Sequence, residues 1–158
     1  MRIVLDTNIL IAAFLSPLGA PSQVVDLVFS GEIVVLVDDR VLAEYREVAR
    51  RPKFGFSHDD VNRVLDVLGT YAERVIAPPL SVKLPDASDL PFIEVAVAGA
   101  ADALVTGNVR HFAPRSGRHH VDIVTAPHLL DALRILGGFQ PRRVRERFRR
   151  CPVAGARA

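Results

Sequence analysis

The chain has 158 residues, 49% of them apolar, a single cysteine and a formal charge of +2. That length and apolar content suit one globular domain with its own core and exclude a disordered chain; the lone Cys151 excludes an internal disulfide and a cysteine-based zinc site. No apolar run approaches the roughly 18 residues of a membrane span, and Asp6 and Asn8 interrupt what would be the apolar stretch of a signal peptide, so a cytoplasmic location with no membrane is expected.

Arg2 to Leu5 reads as a strand and Asp6 ends it. Asp6 can cap a first helix, with Thr7 and Asn8 in turn roles, ahead of the apolar run Ile9 to Leu15. Ser22 can cap a helix over Gln23 to Phe29, with Gly31 just past its end. "IVVLV" (33–37) is a buried-strand run. Asp38 can cap a helix to about Arg51, stopped by Pro52, with Val41, Leu42, Tyr45 and Val48 at helical spacing. Ser57 and Asp60 resemble a capping box that opens a helix from Asp59 to about Glu73. "RVIA" (74–77) is a weak strand, residues 78–88 a loop, and a helix runs from about Asp89 to Ala98. Strand "ALVTG" (103–107), a loop, strand "VDIVTA" (121–126) and a helix from about Pro127 to Leu136 complete the domain, with Gly137-Gly138 as its stop.

Alternating strands and helices with continuous apolar strands predict a three-layer α/β/α sandwich around a parallel sheet of about five strands, spanning residues 1–138. Residues 139–158 form a basic tail, partly helical or disordered. Residues 140–158 hold seven arginines and one acid, a charge of +6, whereas the preceding 139 residues carry −4. A body that is acidic overall, in a chain that is basic overall, concentrates carboxylates somewhere.

In parallel sheets ligands bind beyond the carboxyl ends of the strands. Asp6 ends the first strand there, Pro85-Asp86-Ala87-Ser88-Asp89 opens the helix before the fourth, and Thr106, Gly107 and Asn108 end the fourth. Glu44 sits three residues after Val41 and four before Val48, on or beside the apolar face of its helix. Each has an ordinary reading: Asp6 as a helix cap, Glu44 paired with Arg40 or Arg46, Asp89 as an N-cap, Asp86 as an Asx turn, Asp102 as a cap before its strand, Asn108 as a left-handed turn residue. Together, three acids and an amide from four segments converge on one sheet edge. Two carboxylates about 4 Å apart repel by roughly 4 kcal/mol at an effective dielectric near 20. Such a group protonates or separates unless a cation sits among it, and all-oxygen ligands suit Mg²⁺ or Mn²⁺ rather than zinc.

The stretches "VLDTNIL" (4–10), "VLAEYREVA" (41–49) and "DASDLPFIEVAVAGAADALVTGNVRHF" (86–112) resemble the PIN domain, and more closely the PIN-family toxins of bacterial toxin–antitoxin pairs related to VapC. The resemblance covers about residues 1–137. It implies a Mg²⁺- or Mn²⁺-dependent endoribonuclease that hydrolyses phosphodiester bonds, with an RNA substrate, a cognate antitoxin partner and a homodimer or higher homo-oligomer. By motif, Asp6 and Glu44 are the first two acids of the metal and catalytic set. Asp89 is favoured as the third, and Asp86 matches a further acid of the subgroup. Asn108 takes the fourth position, where many relatives carry Asp. Asn8, Asp102, Thr106 and Asn108 are expected to support the acids. In the implied mechanism the ion activates a water for attack on phosphorus and offsets charge on the phosphate.

Outside this cluster, Arg110, Arg115 and Arg118 with His111, His119 and His120 read as an RNA-facing or merely solvated loop. The tail "PRRVRERFRR" (141–150), with Arg142 and Arg143, has three open readings: a phosphate-binding segment, a solvated terminal helix, or a contact for an antitoxin or second subunit. Phe54 and Phe56 read as packing or an oligomer surface, and Cys151 as inert. A phosphotransfer receiver is excluded by the single acid after the first strand and the lack of Asp in "RVIAPP". A haloacid-dehalogenase-type phosphatase is excluded by Asn8, where its second Asp belongs, and dinucleotide binding by the lack of a Gly-rich turn. The alternative to an enzyme is a catalytically weak PIN-like module that binds RNA or protein.

Overall fold

The computed structural model describes residues 1–112 and 121–135. Its strands are β1 (Arg2–Leu5), β2 (Val34–Val37), β3 (Glu73–Arg74), β4 (Ala103–Val105) and β5 (Asp122–Val124). Its helices are α1 (Thr7–Leu15), α2 (Ala20–Phe29), α3 (Asp39–Ala49), α4 (His58–Tyr71), α5 (Leu90–Ala98), α6 (Val109–Phe112) and α7 (Ala126–Ile135), with short 3₁₀ turns at Pro52–Phe54 and Ala87–Asp89. The expected helix at 141–150 lies outside the described residues, as do His119, His120, Cys151 and four of the five arginines assigned to RNA (Arg115, Arg118, Arg142 and Arg143).

All five strands are parallel, in the order β3-β2-β1-β4-β5. The central strands β2 and β4 are apolar throughout, and β1 is apolar after Arg2, because both faces are covered. Ile3, Val4 and Leu5 pair with Ala103, Leu104 and Val105. The chain runs β1 to β2 to β3 in one direction, then returns across the sheet to β4. Right-handed crossovers therefore place the two sets of helices on opposite faces. Helix α5 lies across β2, β1 and β4, while α1, α2, α4 and α7 pack on one another over the other face. The expected α/β/α sandwich is the observed one.

The approach of α5 to the sheet is close. A methyl group at Gly99, just past its end, would stand 2.6 Å from Leu36 Cδ1 and 3.0 Å from Val75 Cγ2. Asp38 caps α3 by accepting from Val41 N at 2.9 Å, and Ser57 caps α4 by accepting from Asp60 N at 3.1 Å, as their spacing predicts. Phe54 and Phe56 stack 5.8 Å apart, and Phe56 meets Phe14 edge to face, so both are packing groups.

Several boundaries differ from expectation. Helix α2 begins at Ala20 rather than after Ser22, because Gly19 is its cap and Pro21 fits the first turn without needing an N–H partner. Strand β3 is two exposed residues, Glu73 and Arg74, rather than 74–77. An edge strand that short and that charged presents little unpaired backbone to other chains. The stretch after β4, read as loop, opens with α6. Among the described residues no single helix is long and apolar enough to cross a membrane; the bent pair α1–α2, at 103°, passes on length and composition, and much of it is buried in the core.

Candidate active site at the carboxyl edge of the sheet

The strand order reverses between β1 and β4, the place where open α/β sheets leave a crevice at their carboxyl ends. Asp6 stands in that crevice, 6% exposed. It caps α1, yet its side chain is held by more than the cap. Oδ2 accepts from Thr106 Oγ1 and from Asn8 Nδ2, both at 2.6 Å, while Oδ1 accepts from Asn8 N at 3.3 Å. Asn8 is fixed in turn, since its Oδ1 accepts from Gly107 N at 2.9 Å. The strand ends of β1 and β4 are thus tied together through the first acid, and Thr106 and Asn8 support it.

Glu44 comes from α3. Its Oε1 accepts from Thr7 Oγ1 at 2.7 Å, and neither Arg40 nor Arg46 pairs with it. Arg40 instead bridges Asp38 and Glu94. The next residue, buried Tyr45, donates its hydroxyl to the carbonyl of Leu5, which anchors α3 beside the residue preceding Asp6.

Of the two candidates for the third acid, Asp89 feels the charge of Asp6 and acts on Glu44, whereas Asp86 acts on Asp89 alone among the three. Asp86 accepts from Ser88 N and Ser88 Oγ, at 2.9 and 2.8 Å, as an ordinary exposed Asx turn. Asp89 makes no capping bond with its side chain. Its Oδ2 lies 3.0 Å from His111 Nδ1, and His111 Nε2 lies 2.8 Å from Asn108 Nδ2.

Asp102 has its ordinary role, at the entry to its strand, and not the supporting role that the resemblance implies. It precedes β4, and in a parallel sheet that is the amino edge, opposite Asp6. There it accepts from Arg2 N at 2.7 Å, a role in the sheet and not in the site. Arg110 is exposed on α6. His111 was not singled out beside the acids, and neither was Glu94 as a buried charge outside them, 4% exposed, paired with Arg40 and accepting from Leu80 N at 2.9 Å.

The three converging acids share an electrostatic signature. Burial raises the pKa of Asp6 above the usual carboxylate range, and the bonds from Thr106 and Asn8 offset this only in part. Burial also raises Glu44, and the charges of Asp6 and Asp89 add to the effect. Asp89 is raised by burial first, then by Asp6 and Asp86. Asp86 itself is lowered by its bonds to Ser88. So Asp6, Glu44 and Asp89 repel one another with no arginine between them.

Among the described residues no three His, Cys, Asp or Glu side chains already stand as a metal shell. The donor chemistry nevertheless fits a hard, hydrated cation. The acids are all-oxygen, partly buried and, among the described residues, paired with no arginine or lysine, and Mg²⁺ commonly binds through one or two carboxylates while keeping several waters. An open cleft of about 470 Å³ is walled by Ile9, Ala12 and Pro127 and rimmed by Asn8 and Thr106, which hold Asp6, and by Asn108; none of the three acids lines it.

Comparison with known proteins agrees with this geometry. The family described as PIN domain matches residues 2–110, well over half of the chain. The chain belongs to the PIN domain family. It is 30% identical over 111 residues to Uncharacterized protein MJ1680 of Methanocaldococcus jannaschii, a match covering 68% of this chain and 71% of that one. Its fold is similar to a chain in the crystal structure of VapBC2 from Rickettsia felis bound to a DNA fragment from their promoter. That likeness has a TM-score of 0.55 at 19% identity and covers 79% of this chain and 98% of the other. The PIN domain match begins in β1 and ends in α6, so it spans Asp6, Glu44, Asp89 and Asn108.

Proposed function

We propose that this PIN domain is a divalent-metal-dependent endoribonuclease, the toxin of a toxin–antitoxin pair. The observation that carries the reading is the gathering of Asp6, Glu44 and Asp89 at the sheet's reversal point, each with a raised pKa and none paired with an arginine. Such an arrangement is costly without a cation. Thr106 and Asn8 orient Asp6, and Thr7 orients Glu44, so the oxygens are set before an ion arrives. A divalent ion held there, Mg²⁺ or Mn²⁺, makes water a competent nucleophile near neutral pH and offsets charge on the phosphate.

The chain's own residues do the rest. Asp6, Glu44 and Asp89 would hold the ion, which would supply charge for the phosphate, and the adjoining cleft takes a neighbouring nucleotide against its apolar wall. Exposed Arg110 supplies a positive charge at the rim. The fold's likeness to the VapBC2 chain supports an antitoxin partner, and a homo-oligomer in the cytoplasm belongs to the same reading.

The test is cleavage of a mixed RNA pool by the full chain with Mg²⁺ or Mn²⁺. Cleavage is expected to stop with EDTA and to fall on the order of a hundredfold in Asp6→Asn. Activity that survives EDTA, or an Asp6→Asn variant equal to the parent, would overturn the proposal. The absence of a closed shell of three acids among the described residues favours a second reading, a PIN-like module that binds RNA or protein and cleaves poorly. RNA retention on a filter without cleavage under any metal is its signature.

A further inference from the structure

We infer that Asn108 and His111 form a positioning relay that orients Asp89, and that Asn108 acts through the imidazole rather than on an ion. The inference rests on the proposed role of Asp89 as an acid that holds the cation. The relevant contacts are Asn108 Nδ2 to His111 Nε2 at 2.8 Å and His111 Nδ1 to Asp89 Oδ2 at 3.0 Å. An amide NH₂ can only donate, so Nε2 must accept. The ring proton is then on Nδ1, where it faces the carboxylate. One tautomer of the neutral ring satisfies both contacts, and Asn108 selects it.

The relay does not stop at Asn108. Its backbone N–H donates to Thr106 Oγ1 at 2.9 Å, and Thr106 Oγ1 donates to Asp6 Oδ2 at 2.6 Å. Asp6, Thr106, Asn108, His111 and Asp89 therefore form one hydrogen-bonded chain linking the first acid to the third across the reversal point. The separation in sequence is 22 residues for His111 and Asp89 and 100 for Thr106 and Asp6. A carboxylate at position 108 has no proton to give to Nε2. It would require a second ring proton or a turned ring, so the amide here is the matching partner for a histidine at 111.

His111 is a positioning residue, since it reaches the reacting groups only through Asp89. Its side chain is 39% exposed, so its replacement leaves the core intact. Asparagine at 111 keeps an amide donor near the position of Nδ1, whereas glutamine puts its amide near Nε2 and loses Asp89.

The test titrates Mn²⁺ alone into the full chain by calorimetry, follows RNA cleavage in parallel, and reads the His111 ring nitrogens by NMR without metal. His111→Gln is expected to weaken Mn²⁺ binding and cleavage by roughly 10–100-fold, with His111→Asn recovering most of the loss. Asn108→Ala is expected to weaken both in the parent and to cost nothing further in the His111→Gln background, the non-additivity of groups acting in series. In the metal-free parent the proton sits on Nδ1, with Nε2 bare. The relay is overturned if His111→Gln binds Mn²⁺ like the parent, if His111→Asn loses as much as His111→Gln, if the Asn108 and His111 effects multiply independently, or if Nε2 carries the proton. Asp89→Asn separates the two levels. If it binds Mn²⁺ undiminished, the acid site itself fails and the relay with it; if it loses binding while His111→Gln does not, only the relay fails.

Discussion

Asp6 is a charge embedded where the sequence is otherwise apolar, and its three side-chain contacts show how the fold tolerates it. Thr106 matters most, because it is fully buried and donates to Asp6 while accepting from Asn108 N. Thr106→Val keeps the shape and removes these two bonds together with a longer one, 3.5 Å, from Asn8 Nδ2. Hydrogen bonds to a charged group are worth about 1.5–3 kcal/mol, so the variant is expected to lose about that much stability in a denaturant titration with EDTA present. A loss below about 0.5 kcal/mol would mean that Asp6 is held by Asn8 alone. Asp6 and Glu44 stand out in the sequence because an acid at a strand end or on an inward helix face breaks a pattern, whereas Asp89 is preferred to Asp86 only through the family resemblance. Glu94 breaks the same pattern inside "LPFIEVAVA" and was open to the same argument, but its partner Arg40 lies 54 residues away and leaves no local trace. His111 could not be read this way: α6 is four residues long, too short to show periodicity.

At the scale of elements, the site depends on how α3 and α5 are held, since one carries Glu44 and the other begins just after Asp89. Arg40 on α3 clamps the two helices by pairing with buried Glu94 on α5 at 2.6 Å, and Tyr45 meets Phe92 with ring centroids 6.3 Å apart. Arg40→Met leaves Glu94 buried with a charge and one remaining backbone donor, Leu80 N. Because Arg40 is itself 44% exposed, the loss is expected to fall below that of a fully buried pair, about 1–3 kcal/mol. The double variant Arg40→Met/Glu94→Gln is expected to recover part of it in the same unfolding titration. A double variant less stable than Arg40→Met would show that the pair is not the clamp. Helix and strand types followed from periodicity and capping residues, as at Asp38 and Ser57. Boundaries were less legible where the backbone decides them, as at Gly19 and Pro21, or where tertiary pairing does, as in the two-residue β3.

At the scale of the whole molecule, parallel strands, and with them the carboxyl edge as the place to seek a site, followed from the alternation of elements, as did the position of Asp102 before its strand; its bond to Arg2 N, 100 residues distant, did not. Three acids with raised pKa values also set how the metal-free protein responds to pH. A carboxyl whose folded pKa lies above its unfolded one holds its proton more tightly when folded. Its contribution to stability is full below the unfolded pKa and is lost as pH rises through the folded pKa. For Glu44, with an unfolded value near 4.5, the loss begins above that pH. Glu44→Gln keeps an acceptor for Thr7 and cannot titrate. In EDTA the stability of the variant relative to the parent is therefore expected to grow as pH rises from 4 to 7, measured by thermal unfolding. A constant gap would show that Glu44 is not under strain. If the acids hold a cation as proposed, saturating Mg²⁺ is expected to favour the parent instead, by about 2.7 kcal/mol at a hundred times its dissociation constant.

The proposal that Asp6, Glu44 and Asp89 act together on one cation is tested most directly by calorimetric titration of Mn²⁺ into the full chain. The parent is expected to show a saturable site, weakened at least tenfold in each of Asp6→Asn, Glu44→Gln and Asp89→Asn. No saturable binding in the parent, or equal binding in all three variants, would contradict it.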